Sequence, residues 1–270
     1  IGVSMVVLSA LVFLPTGWIL AIGILLVSCH NLLDPITVRG SSAWDLLWHI
    51  LHQPGPVWID SAHLVDFVYP VLPWIGLMAL GYGSGSLYKS DVPAERRRRW
   101  LLAAGVCTTL LFILLRGFNL YGEPHPWRTQ DSPLFSLMSF LNTTKYPPSL
   151  HFLLMTMGSA LILLGALEAL GNRIAKPVIV FGRVPFFFYI VHLYVIHALA
   201  MLLLLSQGHD WHEYIFSARG IISGALRDFG LRLEAVYIIW VMIVVILYPA
   251  CAWYQKVREK HPAWWWLSYL

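Results

Sequence analysis

The stretch from Phe140 to Gly158 reads Phe-Leu-Asn-Thr-Thr-Lys-Tyr-Pro-Pro-Ser-Leu-His-Phe-Leu-Leu-Met-Thr-Met-Gly. It starts polar, turns at Pro147-Pro148 and runs into an apolar helix. Asn142, Lys145, Tyr146, Ser149 and His151 are thereby delivered to one end of a membrane-spanning segment. Ionisable groups cost roughly 2.5–3.5 kcal/mol each at the centre of a spanning helix. Such residues are expected to face a polar cavity rather than lipid. Histidine and lysine can move protons, and asparagine, lysine and arginine can donate to a developing oxyanion.

Other segments bring similar groups to the same depth. His30 and Asn31 close the second apolar run, with Asp34 just beyond; Asp66 opens the third; Arg116 and Asn119 close the fourth. His192 lies near the middle of the sixth, and His197 lies nearer its outer end. An ionisable residue inside a span is a functional candidate by default. Convergence from several helices implies a pocket opening to the outer face.

These residues need a scaffold, and composition defines it. The chain is 58% hydrophobic and 12% charged, where a soluble domain carries about 25% charged residues. Mean hydropathy is +0.68. This predicts an all-α, polytopic transmembrane helix bundle in which residues 1–270 form a single transmembrane domain. The apolar runs are roughly 1–13, 18–33, 66–88, 98–119, 149–171, 177–206 and 235–256, about seven segments in all. Residues 1–13 are short for a span and read as a chain cut within its first visible helix. Cys29, Cys107 and Cys251 all lie in apolar runs and form no disulfide framework.

Lys89, Arg96–Arg99, Arg173, Lys176, Lys256, Arg258 and Lys260 mark one set of loops as cytoplasmic. Loops 34–65, 120–148 and 207–234 then lie outside. The net charge of +4 comes from basic residues in these short loops, so no nucleic-acid partner is expected. Ser42, as cap, and Asp45 start a short amphipathic helix carrying Trp44, Leu47, Trp48 and Leu51, expected on the membrane surface with His49 and His52 on its other face. A weaker pattern over 215–233 suggests a second one. Gly81-Tyr-Gly-Ser-Gly85 reads as small residues for close helix packing. His209-Asp-Trp-His212-Glu213 is a surface loop with no third fixed ligand in view, and no metal is expected there.

Several motifs carry a resemblance: Asn142-Thr-Thr-Lys-Tyr-Pro-Pro-Ser-Leu150, Arg116-Gly-Phe-Asn-Leu-Tyr-Gly122, Gly182-Arg-Val-Pro-Phe-Phe-Phe-Tyr-Ile-Val-His192, Cys29-His-Asn-Leu-Leu-Asp34, Pro73-Trp-Ile-Gly-Leu-Met-Ala-Leu-Gly81 and Trp266-Leu-Ser-Tyr-Leu270. Together they resemble bacterial membrane proteins related to heparan-alpha-glucosaminide N-acetyltransferase. The resemblance implies a bundle of about ten or more spans and an inner-membrane location. It also implies transfer of an acetyl group from acetyl-CoA to a glucosamine amine across the membrane. The family's proposed catalytic histidine lies early, so this chain is expected to start after it.

On that reading His192 or His30 handles protons, while Asn142, Lys145 and Arg116 stabilise charge or grip the acceptor. Asn119, Tyr146, Ser149, His151 and Asp34 contact the substrate. Arg183, Lys176 and Arg173 receive the acyl-CoA phosphates. Membrane lipid and a glycan or small-molecule acceptor are the expected partners, and a homodimer is left open. The rival reading is a transporter or flippase for a lipid-linked or small anionic molecule, using the same cavity.

Overall fold

The computed structural model describes residues 2–61, 63–169, 172–214 and 230–268. The chain divides into two compact units, residues 1–169 and 170–270. The structure is an all-α polytopic bundle. Among the described residues five helices are long and apolar enough to cross a membrane. Their outward faces carry residues such as Leu163, Ile238, Trp240 and Val245. Apolar side chains around a helix's circumference suit lipid rather than water, and the protein is an integral membrane protein.

In the first unit α1 is Gly2–Leu11 and α2 is Thr16–Cys29, continued by a 3₁₀ turn His30–Leu33. Helix α3 is Ala43–Leu51, α4 is Leu72–Ser84, α5 is Ala94–Gly117, α6 is Pro133–Leu141 and α7 is Leu150–Leu167. Helix α2 packs on α4, and α5 on α7. Glycines permit the close approach. A Cβ on Gly158 would come within 2.9 Å of the Thr109 backbone nitrogen, and one on Gly76 within 3.1 Å of that of Val27. In the Gly81–Gly85 stretch only Gly83 packs closely, against Leu20. A Cβ on Gly81 or Gly85 would meet open space.

The third apolar run departs from expectation. Leu64–Phe67 is a strand, β2, paired antiparallel with β1, Gly55–Trp58, and Pro56 lies opposite Asp66. Asp66 therefore sits in a hairpin, not at the head of a span. Pro70 and Pro73 disfavour helix immediately upstream, so α4 begins at Leu72 and has 13 residues. That is short of the ~20 needed to cross.

Helix α3 has the expected capping box, with the Ser42 and Asp45 side chains each bonded to the other's backbone nitrogen. Trp44 is 80% exposed, whereas His49 and His52 are buried. The histidine face packs inward: His49 stacks on Phe67 at 5.3 Å and bonds the Gln53 carbonyl.

In the second unit α8 is Asn172–Arg183, α9 is Pro185–Ser206 and α10 is Leu233–Lys260. The sixth apolar run is thus two helices. Pro185 has no N–H and forces Val184 out of helical geometry (φ −131°, ψ 49°). Val184, Cys251, Tyr254 and Leu267 form the core here, with Phe187 stacked on Tyr254 at 4.3 Å. The second surface helix expected over 215–233 falls mostly outside the described residues.

Candidate functional site

The first unit gathers the C-terminal ends of α2 and α5 and the N-terminal ends of α4 and α7 at one end of the bundle. At the opposite end Arg97 Nε donates to Glu168 at 2.7 Å, joining the start of α5 to the end of α7. The Arg96–Arg99 run and the polar cluster therefore occupy opposite ends of α5.

A hydrogen-bonded chain runs through the polar end. The Leu150 amide, at the first turn of α7, donates to Asn31 Oδ1 at 2.9 Å. Asn31 Nδ2 donates to Asp34 Oδ2 at 2.9 Å, and His52 Nε2 donates to Asp34 Oδ1 at 3.0 Å. Burial works against the Asp34 charge, but the bonds from His52 and Asn31 outweigh it, and its pKa falls below the ordinary 3.8. Asp34 is thus a fixed anion. Asn31, Asp34, His52, Gln53, Thr144 and Pro147 are among the residues lining a cleft of about 210 Å³. That is the liquid volume of about seven waters.

The Asn142–Leu150 segment is organised by a carboxylate. Glu123 accepts from the Thr144 amide at 3.0 Å, from the Thr144 hydroxyl and from the Ser149 hydroxyl at 2.7 Å. Ser149 also caps α7 by accepting from the Phe152 amide at 3.0 Å. Ser149 is 1% exposed and its hydroxyl both donates and accepts, so it acts as a frame rather than an open contact. The Tyr146–Pro147 peptide is cis. Lys145 and Tyr146 are exposed. The Tyr69 hydroxyl lies 3.4 Å from that of Tyr146, the two rings meet edge to face at 4.8 Å, and the Lys145 ammonium lies 5.1 Å from the Tyr146 ring centre. Asn142 is exposed too, and its carbonyl is used by Arg116.

Arg116 is 1% exposed and, among the described residues, forms no ion pair with a carboxylate. Its guanidinium donates to the carbonyls of Phe140 (3.0 Å), His125 (2.8 Å), Ser139 (3.1 Å) and Asn142 (2.7 Å). Most of these acceptors are the unpaired carbonyls at the C-terminus of α6, where a cation is favoured. The expected grip on a substrate is replaced by a cap on a helix end. Asn119, in the left-handed region at φ 48°, uses both amide atoms on the Trp127 backbone. It closes a loop.

His30 is likewise committed. Its Nε2 lies 2.9 Å from the Pro148 carbonyl, and Nδ1 lies 3.0 Å from that of Val27. A neutral ring can donate to one of these and the imidazolium to both. His30 thus stitches α2 to the Pro147-Pro148 turn. His151 has no exposed surface, and among the described residues neither ring nitrogen meets a partner in hydrogen-bond geometry; its ring meets the edge of Phe112 at 6.1 Å.

The second unit holds the remaining candidates. His192 is half-buried, stacks on Phe188 at 5.2 Å, and donates through Nδ1 to the Phe188 carbonyl at 3.1 Å. That bond fixes Nε2 as the lone-pair nitrogen. Arg183, Gln255, Arg258 and Glu259 line a separate cleft of about 480 Å³ with Gly182. Arg183 pairs with Glu259 at 3.1 Å, and Arg258 donates to the Arg183 carbonyl at 2.7 Å. Lys176 is exposed and lies outside this lining. The Arg173 side chain lies outside the described residues.

Residues 1–116 match the family model described as "Heparan-alpha-glucosaminide N-acetyltransferase, catalytic". That part of the chain is similar to the family. No curated protein and no solved structure matches it. The N-acetyltransferase match covers His30, Asn31, Asp34, His52 and Arg116, and stops before Glu123, the 140–158 stretch and His192. His52, Glu123 and Tyr69 are the site residues that sequence reasoning missed. For His52 the available signal was its place three residues after His49 on one face of α3. For Glu123 and Tyr69 no spacing pointed to the site.

Proposed function

We propose that the protein is a transmembrane acyltransferase. It moves an acetyl or other acyl group from an acyl-CoA on the arginine-rich side to an amine or hydroxyl of a glycan-type acceptor at the cleft side. The relation to the N-acetyltransferase family supports the reaction class. The observation that carries the acceptor site is the Asp34 carboxylate, held charged in the cleft by Asn31 and His52. An anion fixed in this way can hold an ammonium or accept from a hydroxyl without reorganising.

The chemistry then divides among the residues. The acceptor nitrogen or oxygen attacks the thioester carbonyl, the C–S bond breaks, and the CoA thiolate leaves. The acceptor's proton passes to a base. Asp34 is a poor base because its pKa is lowered, so it anchors. The proton-handling candidate of the second unit is His192, whose Nε2 keeps its lone pair because Nδ1 donates to the Phe188 carbonyl. His30 positions the Pro148 turn instead. Asn142 and Lys145, both exposed in the segment that carries the cleft-lining residues Thr144 and Pro147, are the donors we assign to the acceptor and the developing charge. Arg116, Asn119, Ser149 and Glu123 hold the loops that carry them. Arg183 and Arg258 offer guanidinium groups to the donor phosphates.

The test is incubation of the full-length protein, in nanodiscs, with acetyl-labelled CoA and glucosamine. Label in N-acetylglucosamine, lost in His192→Gln and Asp34→Asn, is the expected result. Glucosamine uptake into vesicles without covalent transfer would replace the enzyme with the transporter.

A further inference from the structure

Asp34 accounts for one end of the acceptor. The segment that brings Thr144 and Pro147 to the cleft has its own chemistry. Lys145 and Tyr146 sit between two cleft-lining residues, Thr144 and Pro147, in a turn clamped by the Lys145–Pro148 bridge. Among the described residues no carboxylate lies within ion-pair distance of the Lys145 ammonium. Beside it Tyr69 and Tyr146 are 63% and 38% exposed. Two aromatic rings held edge to face at 4.8 Å form a rigid apolar ledge with hydroxyls at its rim. The Tyr69 hydroxyl and the Lys145 ammonium both stabilise the Tyr146 phenolate, so the phenol's pKa is lowered from 10. The cluster therefore concentrates donors and positive charge, while the cleft interior holds a fixed negative charge.

We infer that the cleft takes a bipolar acceptor: an amine or hydroxyl binds at Asp34, and an anionic group, such as a phosphate, binds at Lys145 with Tyr69 and Tyr146 as its ledge. This rests on the acyltransferase reading for the word acceptor, but the binding subsite stands on the cleft and the cluster alone. The phosphate can come from a soluble amino sugar or from an amine-bearing lipid headgroup, because the same two contacts serve either. A ligand lacking the anion leaves Lys145 in water, and one lacking the amine or hydroxyl leaves Asp34 without a partner from the ligand.

The experiment measures binding, not turnover. The full-length protein in phosphatidylcholine nanodiscs is titrated with glucosamine and with glucosamine 6-phosphate. The expected result is about five- to tenfold tighter binding of the phosphate, as one partly solvated charge-assisted contact gives. Lys145→Ala should bring the two affinities together, and Lys145→Arg should keep them apart. Phosphate binding should also draw on the Lys145 charge and move the Tyr146 phenol back toward 10, seen by absorbance near the tyrosinate band. Nanodiscs containing phosphatidylethanolamine separate the sources: competition with the sugar phosphate identifies the headgroup, and undiminished sugar-phosphate binding identifies the soluble compound. Equal affinities for the two probes in the unmodified protein would overturn the subsite. If the preference is present but no acetyl is ever transferred, the subsite stands and the acyltransferase reading falls.

Discussion

The imidazole of His52 donates to Asp34 over 3.0 Å, linking the inward face of α3 to the segment that follows α2. The relation explains why α3 buries its histidines and exposes Trp44. The helix is held to the bundle by a buried donor on one face, and its other face is left to the membrane surface. Among the described residues Nδ1 of His52 is buried without a partner, and the Asp34 bond is the ring's polar attachment there.

Replacing His52 by Ala should remove that bond and cost about 1–3 kcal/mol. The pH dependence follows from the Asp34 shift. The folded-state pKa lies below the unfolded 3.8. Stability from this group is therefore fully present above the unfolded value and is lost as pH falls through the lowered folded value. In His52→Ala the folded pKa moves back toward the unfolded value, so the contribution is smaller and its loss is complete at a higher pH. Thermal melts of both proteins between pH 3 and 6 check this; superimposable acid limbs would remove His52 from the account.

Arg116 should be among the least replaceable residues of the first unit. Lysine carries three donors from one point, where the guanidinium fork reaches four carbonyls. Arg116→Lys should strand at least one buried acceptor and Arg116→Met all four. The expected loss is about 2 kcal/mol or more for Lys and larger for Met. Proteolysis within residues 120–142 should accelerate in parallel, because this loop and α6 hang on the guanidinium. A variant with normal protease resistance would show that the loop holds itself.

The helices were legible because an apolar run of ~20 residues has few other readings. The seams in those runs were less so. Val184-Pro185 sits inside an unbroken apolar stretch, and composition alone does not separate two helices from one. Leu64–Phe67 is four residues between turns and merges by composition with α4. At the site, residue types were informative about depth but not about partners. Arg116, Ser149 and Asn119 lie at the expected end of their helices yet spend their donors and acceptors on backbone. Asp34–His52 and Glu123–Ser149 are pairs 18 and 26 residues apart with no period to announce them.

Glycines separate packing from composition. Gly158→Val would drive a side chain into the Thr109 backbone, at a cost of about 1–3 kcal/mol. Gly81→Ala meets open space and should gain a few tenths to 1 kcal/mol from helix propensity. Paired thermal melts in one detergent read both. Equal effects would mean that α5 and α7 can separate without penalty.

The second unit makes its prediction through the donor. Arg258 shapes its cleft by bonding the Arg183 carbonyl, and Arg183 is shared with Glu259. Two guanidiniums against one carboxylate leave a net positive charge in about 480 Å³. If the donor's phosphates sit there, that contact is far from the reacting carbonyl and is made equally in the ground and transition states. Arg258→Gln should then raise KM for acetyl-CoA by about tenfold with kcat little changed. KM for the acceptor should stay the same. Glu259→Gln should lower KM for acetyl-CoA, because it frees Arg183 and removes the opposing charge. A drop in kcat with KM unmoved in either variant would mean that these arginines act on the chemical step or on folding, and not on donor binding.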